Sequence, residues 1–461
     1  MEQDTIVAIA TPPGEGGLGV VRMSGPEAIA FASRLFRPVR PGPLCSYRLR
    51  YGHVVDPTSG LVIDEALLAV MRAPQSFTRE DVVEFSCHGG PLPVQQTLQG
   101  CLDAGARLAR PGEFTLRAFL NGRIDLSQAE ATLDVIRAQT DAGLALAQAQ
   151  LGGWLAREVR AVRAVLLELL AYVTVLVDFP EDEVEPQDIG PRLRTSLQTV
   201  TSLLEGANQG LVYRHGARVA IVGQPNVGKS SLLNVLLRSD RAIVTPIPGT
   251  TRDTLEETAN LNGIPVVLID TAGIHASNDL VERLGIERSR AALAQADVAL
   301  LVIDASRPVE DEDLLIARLT ADKPTLLVWN KLDQRDPAAP SLASLAEYLD
   351  HPRLAATVAT SVATGEGLET LVQGLVQVLL GGHAPLAAGE ARLVSNPRHH
   401  DALRRAHEYL AAALAGWDAN DPTDLLGGDL LAALNALGEI TGESVGDDLL
   451  DLIFSQFCIG K

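Results

Sequence analysis

Lysine is nearly missing from this chain of 461 residues: Lys229, Lys323, Lys331 and Lys461 are the only four, so 34 of the 38 basic residues are arginines. Where a lysine survives in that background, a compact charge on a flexible stem is the expected requirement. Aromatic residues are also scarce, at 4%, and the four cysteines (Cys45, Cys87, Cys101, Cys458) form no C-x-x-C pair. That excludes a disulfide framework and a structural zinc site and fits a reducing compartment. No apolar run reaches the roughly 18 residues of a membrane span, since Glu168 interrupts the longest, and no basic-then-apolar leader opens the chain. A cytoplasmic protein that makes no use of a membrane is expected. The terminal "FCIGK" lacks the aliphatic pair and final residue of a prenylation signal.

What is present is acidity, with a net charge of −20. It is unevenly placed: residues 1–120 carry 11 Arg against 12 Asp and Glu, so nearly all the excess lies downstream. A polyanion such as RNA would meet a local arginine patch or a partner protein rather than the field of the whole molecule.

The texture of the chain changes three times. Residues 1–120 mix short β-rich runs with Gly and Pro punctuation, as an α+β domain does. Residues 121–212 read as long helices, broken by "PEDEVEP". Residues 213–380 alternate apolar strands with helices, the pattern of a parallel α/β sheet, and helical texture returns over 381–461. The expected architecture is multidomain: an N-terminal α+β domain, then an all-α domain in two segments with an α/β P-loop domain inserted between them.

"GQPNVGKSS" sits between a strand and a helix, the context a phosphate-binding loop requires. Asn226, Val227 and Gly228 would bring backbone N–H groups to phosphates, Lys229 would reach the β and γ phosphates, Ser230 would ligate Mg2+, and Ser231 opens the helix. "DTAG" (Asp270, Thr271, Ala272, Gly273) ends the next apolar strand, where a carboxylate can hold the magnesium shell. "NKLD" (Asn330, Lys331, Leu332, Asp333) ends another; Asp333 can accept both the ring N–H and the amino group of guanine, which favours GTP over ATP. In "TPIPGTT" (Thr245, Pro246, Ile247, Pro248, Gly249, Thr250, Thr251), Thr251 supplies a second magnesium ligand. Ser361, Val362 and Ala363 in "SVATGEGL" are either a base-side loop or a plain surface turn.

Ile274 follows "DTAG" where Ras-type enzymes carry the Gln that positions water. Glu282 is the candidate for that role through a bridging water, against a reading as a solvated helix charge. With no cis arginine finger identifiable, Asn226 and the 245–251 loop are expected to cage a monovalent cation in its place.

These motifs, with "ATPPGEGGLGVVRMSG", "SFTREDVVEFSCHGG", "RPGEFTLRAFLNGRIDLSQAEA" and "GEITGESVGDDLLDLIFSQFCIGK", closely resemble the MnmE (TrmE) family of tRNA modification GTPases from Thr5 to Lys461. The resemblance implies a homodimer with a folate-binding-like N-terminal domain, a helical domain and an inserted G domain, acting with an MnmG-like FAD protein. Such proteins install an aminomethyl-type group (carboxymethylaminomethyl) on carbon five of the tRNA wobble uridine, with potassium-stimulated GTP hydrolysis. Their one-carbon donor is a tetrahydrofolate, as 5-formyl- or methylene-tetrahydrofolate. By matched position Arg22, Glu84, Arg123 and Lys461 would contact the folate. Asn226, Thr245, Ile247 and Thr250 would bind potassium, Ser230 and Thr251 magnesium, and Glu282 would orient water. The sequence departs from the family pattern at Arg123, often Lys, at Pro246 and Pro248, at Val362, and at His275, often Arg.

The tail would then wall the folate pocket. Cys458 is a candidate nucleophile, with a structural thiol as the competing reading. Cys87–His88 is a candidate catalytic pair, with a turn after a strand as its rival. A ribosome-assembly GTPase acting as a binding switch is the alternative function, disfavoured by the acidic helical flanks. A stand-alone folate-dependent methyltransferase would leave the G motifs without a purpose.

Overall fold

In the computed structural model the described residues are 4–178, 185, 187–239, 258–270, 290–386 and 391–460. They divide into two compact units: residues up to Leu133 with those from Gly438 onward, and Asp134–Leu437.

The first unit is built on a seven-stranded sheet: β1 (Ile6–Ile9), β2 (Gly16–Ser24), β3 (Phe36–Pro38), β4 (Leu49–Val55), β5 (Val62–Met71), β6 (Val82–Gly89) and β7 (Arg107–Leu108). Its order is β3-β4-β5-β6-β2-β1-β7. Only β1 with β7 is parallel. Alternation decides which side chains are buried. Val83, Phe85 and Cys87 of β6 enter the core beneath helices Ala28–Leu35 and Pro91–Asp103, while Glu84, Ser86 and His88 face outward. β2 runs antiparallel to β6 with Arg22 directly opposite Glu84, so both lie on that outer face.

The C-terminal residues belong to this unit. Helix Asp447–Ser455 buries Ile453 and Phe454, and Phe457 beyond it joins them against Leu126, Ala129 and Leu133. Phe454 has Phe119 and Phe457 as ring neighbours, with centroids 6.4 and 5.5 Å away. Such a cluster anchors the tail as an ordinary core would.

The second unit holds a six-stranded sheet of order β13-β12-β11-β8-β10-β9. Its strands are β8 (Ala217–Val222), β9 (Thr258–Leu261), β10 (Ile264–Asp270), β11 (Val298–Asp304), β12 (Thr325–Asn330) and β13 (Leu354–Ala359). Residues alternate between two cores: Val219 and Ile221 on one face, Ala220 and Val222 on the other, each covered by helices. The strands of the four apolar runs, β8, β10, β11 and β12, pair in parallel as expected, and an added edge strand, β9, pairs antiparallel with β10. The reason is local: two residues, Asn262 and Gly263, join the strands, too short for a parallel crossover.

Helices Trp154–Asp178, Gly190–Glu205 and Ala207–His215 precede that sheet in sequence, and Pro397–Ala419 follows it. Gly190–Glu205 packs along Pro397–Ala419, with Arg194 paired to Asp418 at 2.7 Å. The α/β segment is therefore an insertion within helical material. No described helix is long and apolar enough to cross a membrane.

Candidate functional site

β8 ends at Val222 and helix Lys229–Ser239 begins seven residues later, with the phosphate-loop sequence as the turn between them. Asn226 adopts φ +64° and Gly228 φ +101°. Any Cβ at Gly228 would lie 2.3 Å from Asn330 Nδ2, so glycine is required there by backbone and by contact alike. Lys229 is buried, and its Nζ donates to the carbonyls of Gly223 at 2.9 Å and Gln224 at 2.7 Å. The ammonium thus already lies across the mouth of the loop, where it would exchange carbonyl oxygens for phosphate oxygens. The N-terminus of helix Lys229–Ser239 opens at the same place, with the positive end of its dipole toward the loop.

The base-side motifs converge on this loop. Asn330 Nδ2 donates to Val227 O at 2.8 Å, and Asn330 Oδ1 accepts from Val362 N at 3.3 Å. Ser361, fully buried, donates its hydroxyl to Asp333 Oδ1 at 2.6 Å. "SVATGEGL" is therefore no plain turn, because it is bonded to "NKLD" at two points. Asp333 itself remains exposed and able to accept from a base edge. Lys331 stands at φ +62° with Nζ 2.7 Å from Asp304 Oδ2. Burial pushes the Asp304 carboxyl up, but the bonds from Lys331 and Ser306 outweigh it and hold it below the usual carboxylate range. Asp304 carried no motif signal beyond its place at the end of an apolar strand, and the motif reading missed it.

Several expected residues lie outside the described ones: Thr245, Pro246, Ile247, Pro248, Gly249, Thr250, Thr251, Thr271, Ala272, Gly273, His275, Glu282 and Lys461. Asp270 is the last residue of β10.

In the first unit Arg22 Nε donates to Glu84 Oε1 at 2.7 Å, and Arg22 Nη1 donates to Gly460 O at 3.2 Å. The guanidinium lies 5.8 Å from the Phe114 ring centroid. Gly460, at φ +96°, is pressed so close to β1 that a Cβ would fall 2.3 Å from Ile9 O. Arg22, Glu84 and the residue preceding Lys461 are thus brought together. Arg123 stands apart from them in its contacts: it lies 4.9 Å over the Phe77 ring and donates to Phe77 O. It lines a cleft of about 530 Å³ with Tyr47, Met71 and Arg79.

The two candidate thiol sites differ. Cys87 is buried against Thr97, and burial raises its thiol above the ordinary value. His88 points the other way and bonds Asp64 through Nδ1 at 2.8 Å, which raises its own value. Strand alternation therefore separates Cys87 from His88, and they form no catalytic pair. Cys458 is exposed, and its carbonyl accepts from Gly112 N at 3.4 Å.

The family model "MnmE helical domain" matches residues 126–458, and "GTP-binding protein TrmE N-terminus" matches residues 5–123. The tRNA modification GTPase MnmE of Chloroflexus aurantiacus is 65% identical over 460 residues, covering 99% of this chain and 100% of that protein. The protein of the same name from Roseiflexus castenholzii is 58% identical, covering 100% of each. Among solved structures, Aquifex aeolicus Era bound to GDP and aluminium fluoride is 33% identical, covering 42% of this chain and 66% of its own, at a TM-score of 0.28.

Proposed function

The chain belongs to the MnmE family of tRNA modification GTPases, and on that premise we propose that it couples GTP hydrolysis to modification of carbon five of the tRNA wobble uridine. The observation that carries the GTPase half is the agreement of loop, helix and base motifs around one mouth, with Lys229 resting on Gly223 and Gln224 carbonyls. Gly228 and the left-handed Asn226 leave the backbone free to wrap phosphates, so the residues present fit a nucleotide. Ser230, the second residue of the following helix, would ligate Mg2+ with Thr251. Potassium would be held by Asn226 with Thr245, Ile247 and Thr250, adding positive charge beside the phosphates where an arginine finger acts in other GTPases. Glu282 would orient the attacking water.

The one-carbon half rests on Arg22, Glu84 and the tail. A cation and a carboxylate side by side on an open sheet face offer paired donors and acceptors to a pterin edge, and Phe114 supplies an apolar neighbour. The fit to a tetrahydrofolate is chemical: Glu84 accepts ring N–H groups, while Arg22 and Lys461 answer its carbonyl and carboxylates. Arg123 would meet the same ligand from the Phe77 cleft. Cys458, exposed beside this group, would serve as a nucleophile. The homodimer, an MnmG-like FAD protein and the cytoplasm complete the reading, with the domain limits 1–120, 121–212, 213–380 and 381–461.

Mass spectrometry of tRNA from a strain lacking the gene tests the reading. Loss of the wobble-uridine modification, restored by the intact gene, is the expected result, and its persistence would refute the assignment. GTP turnover that is unchanged when sodium replaces potassium at equal ionic strength would remove the cation proposal.

A further inference from the structure

The turn "DASR", Asp304–Arg307, follows β11 and belongs to none of the nucleotide motifs, yet its two ends touch two of them. At one end Asp304, 6% exposed, binds Lys331 of "NKLD" through Oδ2 at 2.7 Å. Its Oδ1 accepts from Ser306 N at 3.0 Å and Ser306 Oγ at 2.6 Å, closing the turn that leads to Arg307. At the other end Arg307 Nη2 donates to Gln224 Oε1 at 2.8 Å. Gln224 is the residue whose main-chain oxygen receives Lys229 Nζ at 2.7 Å.

Arg307 is itself held in place. Its Nη1 pairs with Glu310 at 2.6 Å, and Nη2 lies 3.6 Å from Asp313. Those two carboxylates form the capping box of helix Asp311–Leu319, so the guanidinium is fixed to a rigid element. Gln224 is 6% exposed, and its side chain also helps to hold the Glu310 carboxyl below the ordinary value. What the glutamine adds over an apolar side chain of the same length is a polar head whose Oε1 is the acceptor that Arg307 uses.

We propose that Asp304 and Arg307 are positioning residues for GTP binding: the turn between them braces the phosphate loop, through Gln224, and the guanine-side lysine in one arrangement. Arg307 acts on Lys229 only through Gln224, whose side chain it fixes while the carbonyl of the same residue holds the ammonium. Because the brace shapes the free loop and touches no reacting atom, its loss weakens ground-state and transition-state binding equally.

The test is calorimetric binding of GDP with Mg2+, and GTP turnover, in the full chain and four variants: Q224M, R307A, the double variant and D304N. Methionine fills the space of Gln224 without its acceptor and leaves Arg307 its two carboxylates, so Q224M keeps the test alive if R307A fails to fold. Q224M and R307A are each expected to raise the GDP Kd roughly tenfold, with kcat at saturating GTP within about twofold. The double variant is expected to bind no more weakly than Q224M alone. D304N, which keeps an acceptor for Ser306 but removes the charge facing Lys331, is expected to weaken GDP in the same sense. GDP binding unchanged in Q224M and D304N, or losses in Q224M and R307A that multiply in the double variant, would overturn the proposal.

Discussion

Arg22 Nη1 donates to the carbonyl oxygen of Gly460 at 3.2 Å, joining residues 438 positions apart in sequence. A small aromatic cluster anchors the tail just before Gly460, together with the backbone bond from Gly112 N to Cys458 O. Phe454, 2% exposed, sits between Phe119 and Phe457 and is the centre of that cluster. Phe454→Ala should therefore destabilise the first unit by about 3–5 kcal/mol, the usual cost of emptying a buried aromatic site. Urea unfolding followed by circular dichroism measures it, and a loss within about 0.5 kcal/mol would show that the tail is not anchored this way.

Arg117 is the hub of a second set of contacts in the same unit. It donates to Asp4 at 2.6 Å, Glu113 at 3.1 Å and Glu80 at 3.2 Å, and Arg107 joins Asp4 and Glu113 from the other side. Burial pushes the carboxyls of Asp4 and Glu113 up, but hydrogen bonds from the two arginines outweigh it and hold both below their ordinary values of 3.8 and 4.5. A carboxylate with a depressed folded value stabilises fully above its unfolded value and loses that contribution as pH falls through the folded one. Stability of the first unit should thus decline as the solution is acidified below about pH 4.5, the unfolded chain taking up protons first.

Arg117→Met should flatten that decline. It also leaves Glu80 without its arginine and Asp4 and Glu113 with Arg107 alone, at a cost of about 3–5 kcal/mol near neutral pH. Urea midpoints measured between about pH 6 and pH 3 test both statements together. A variant with wild-type acid sensitivity would place the titrating groups elsewhere.

The proposed guanine preference would depend on Asp333, whose Oδ1 accepts from the Ser361 hydroxyl at 2.6 Å while the residue stays exposed. Asp333→Asn exchanges an acceptor for a donor, so it should reject guanine and accept xanthine, which offers an oxygen at the same edge. The ratio of GTP to XTP turnover should fall by on the order of 10³ or more. Competition assays with the two nucleotides measure it; an unchanged ratio would remove Asp333 from base recognition.

The sequence made the nucleotide machinery legible because each motif is short, contiguous and punctuated by glycine or by the end of an apolar strand. The strands carrying those motifs, Ala217–Val222, Ile264–Asp270 and Thr325–Asn330, lie where the apolar runs place them, as does Val298–Asp304 between them in sequence. Leu354–Ala359, "LAATVA", has alanine where β-branched residues would mark a strand, and its pairing with β12 is imposed by tertiary context. Leu49–Val55 at the other end of the chain alternates weakly and is held by its partner β5.

Distant partnerships were the least visible. Nothing in "DASR" announces that its ends reach Lys331 and Gln224, since such contacts depend on loop trajectories and not on local pattern. The same limit applies to Cys87 and His88, which are neighbours in sequence yet sit on opposite faces of one strand. Arg22 and Glu84, 62 positions apart, bond each other across paired strands, whereas Arg123 has its contacts at Phe77.

The most direct test of the one-carbon site is calorimetric titration of 5-formyl-tetrahydrofolate into the full chain and into a chain ending at Ile459. Cutting there leaves Phe457 in its cluster and removes only Gly460 and Lys461, so the anchor survives while the carbonyl facing Arg22 and the terminal lysine are lost. Binding by the full chain with loss of at least about tenfold in affinity for the shortened one is the predicted result. Equal binding by both would contradict a pocket closed by the chain's own end.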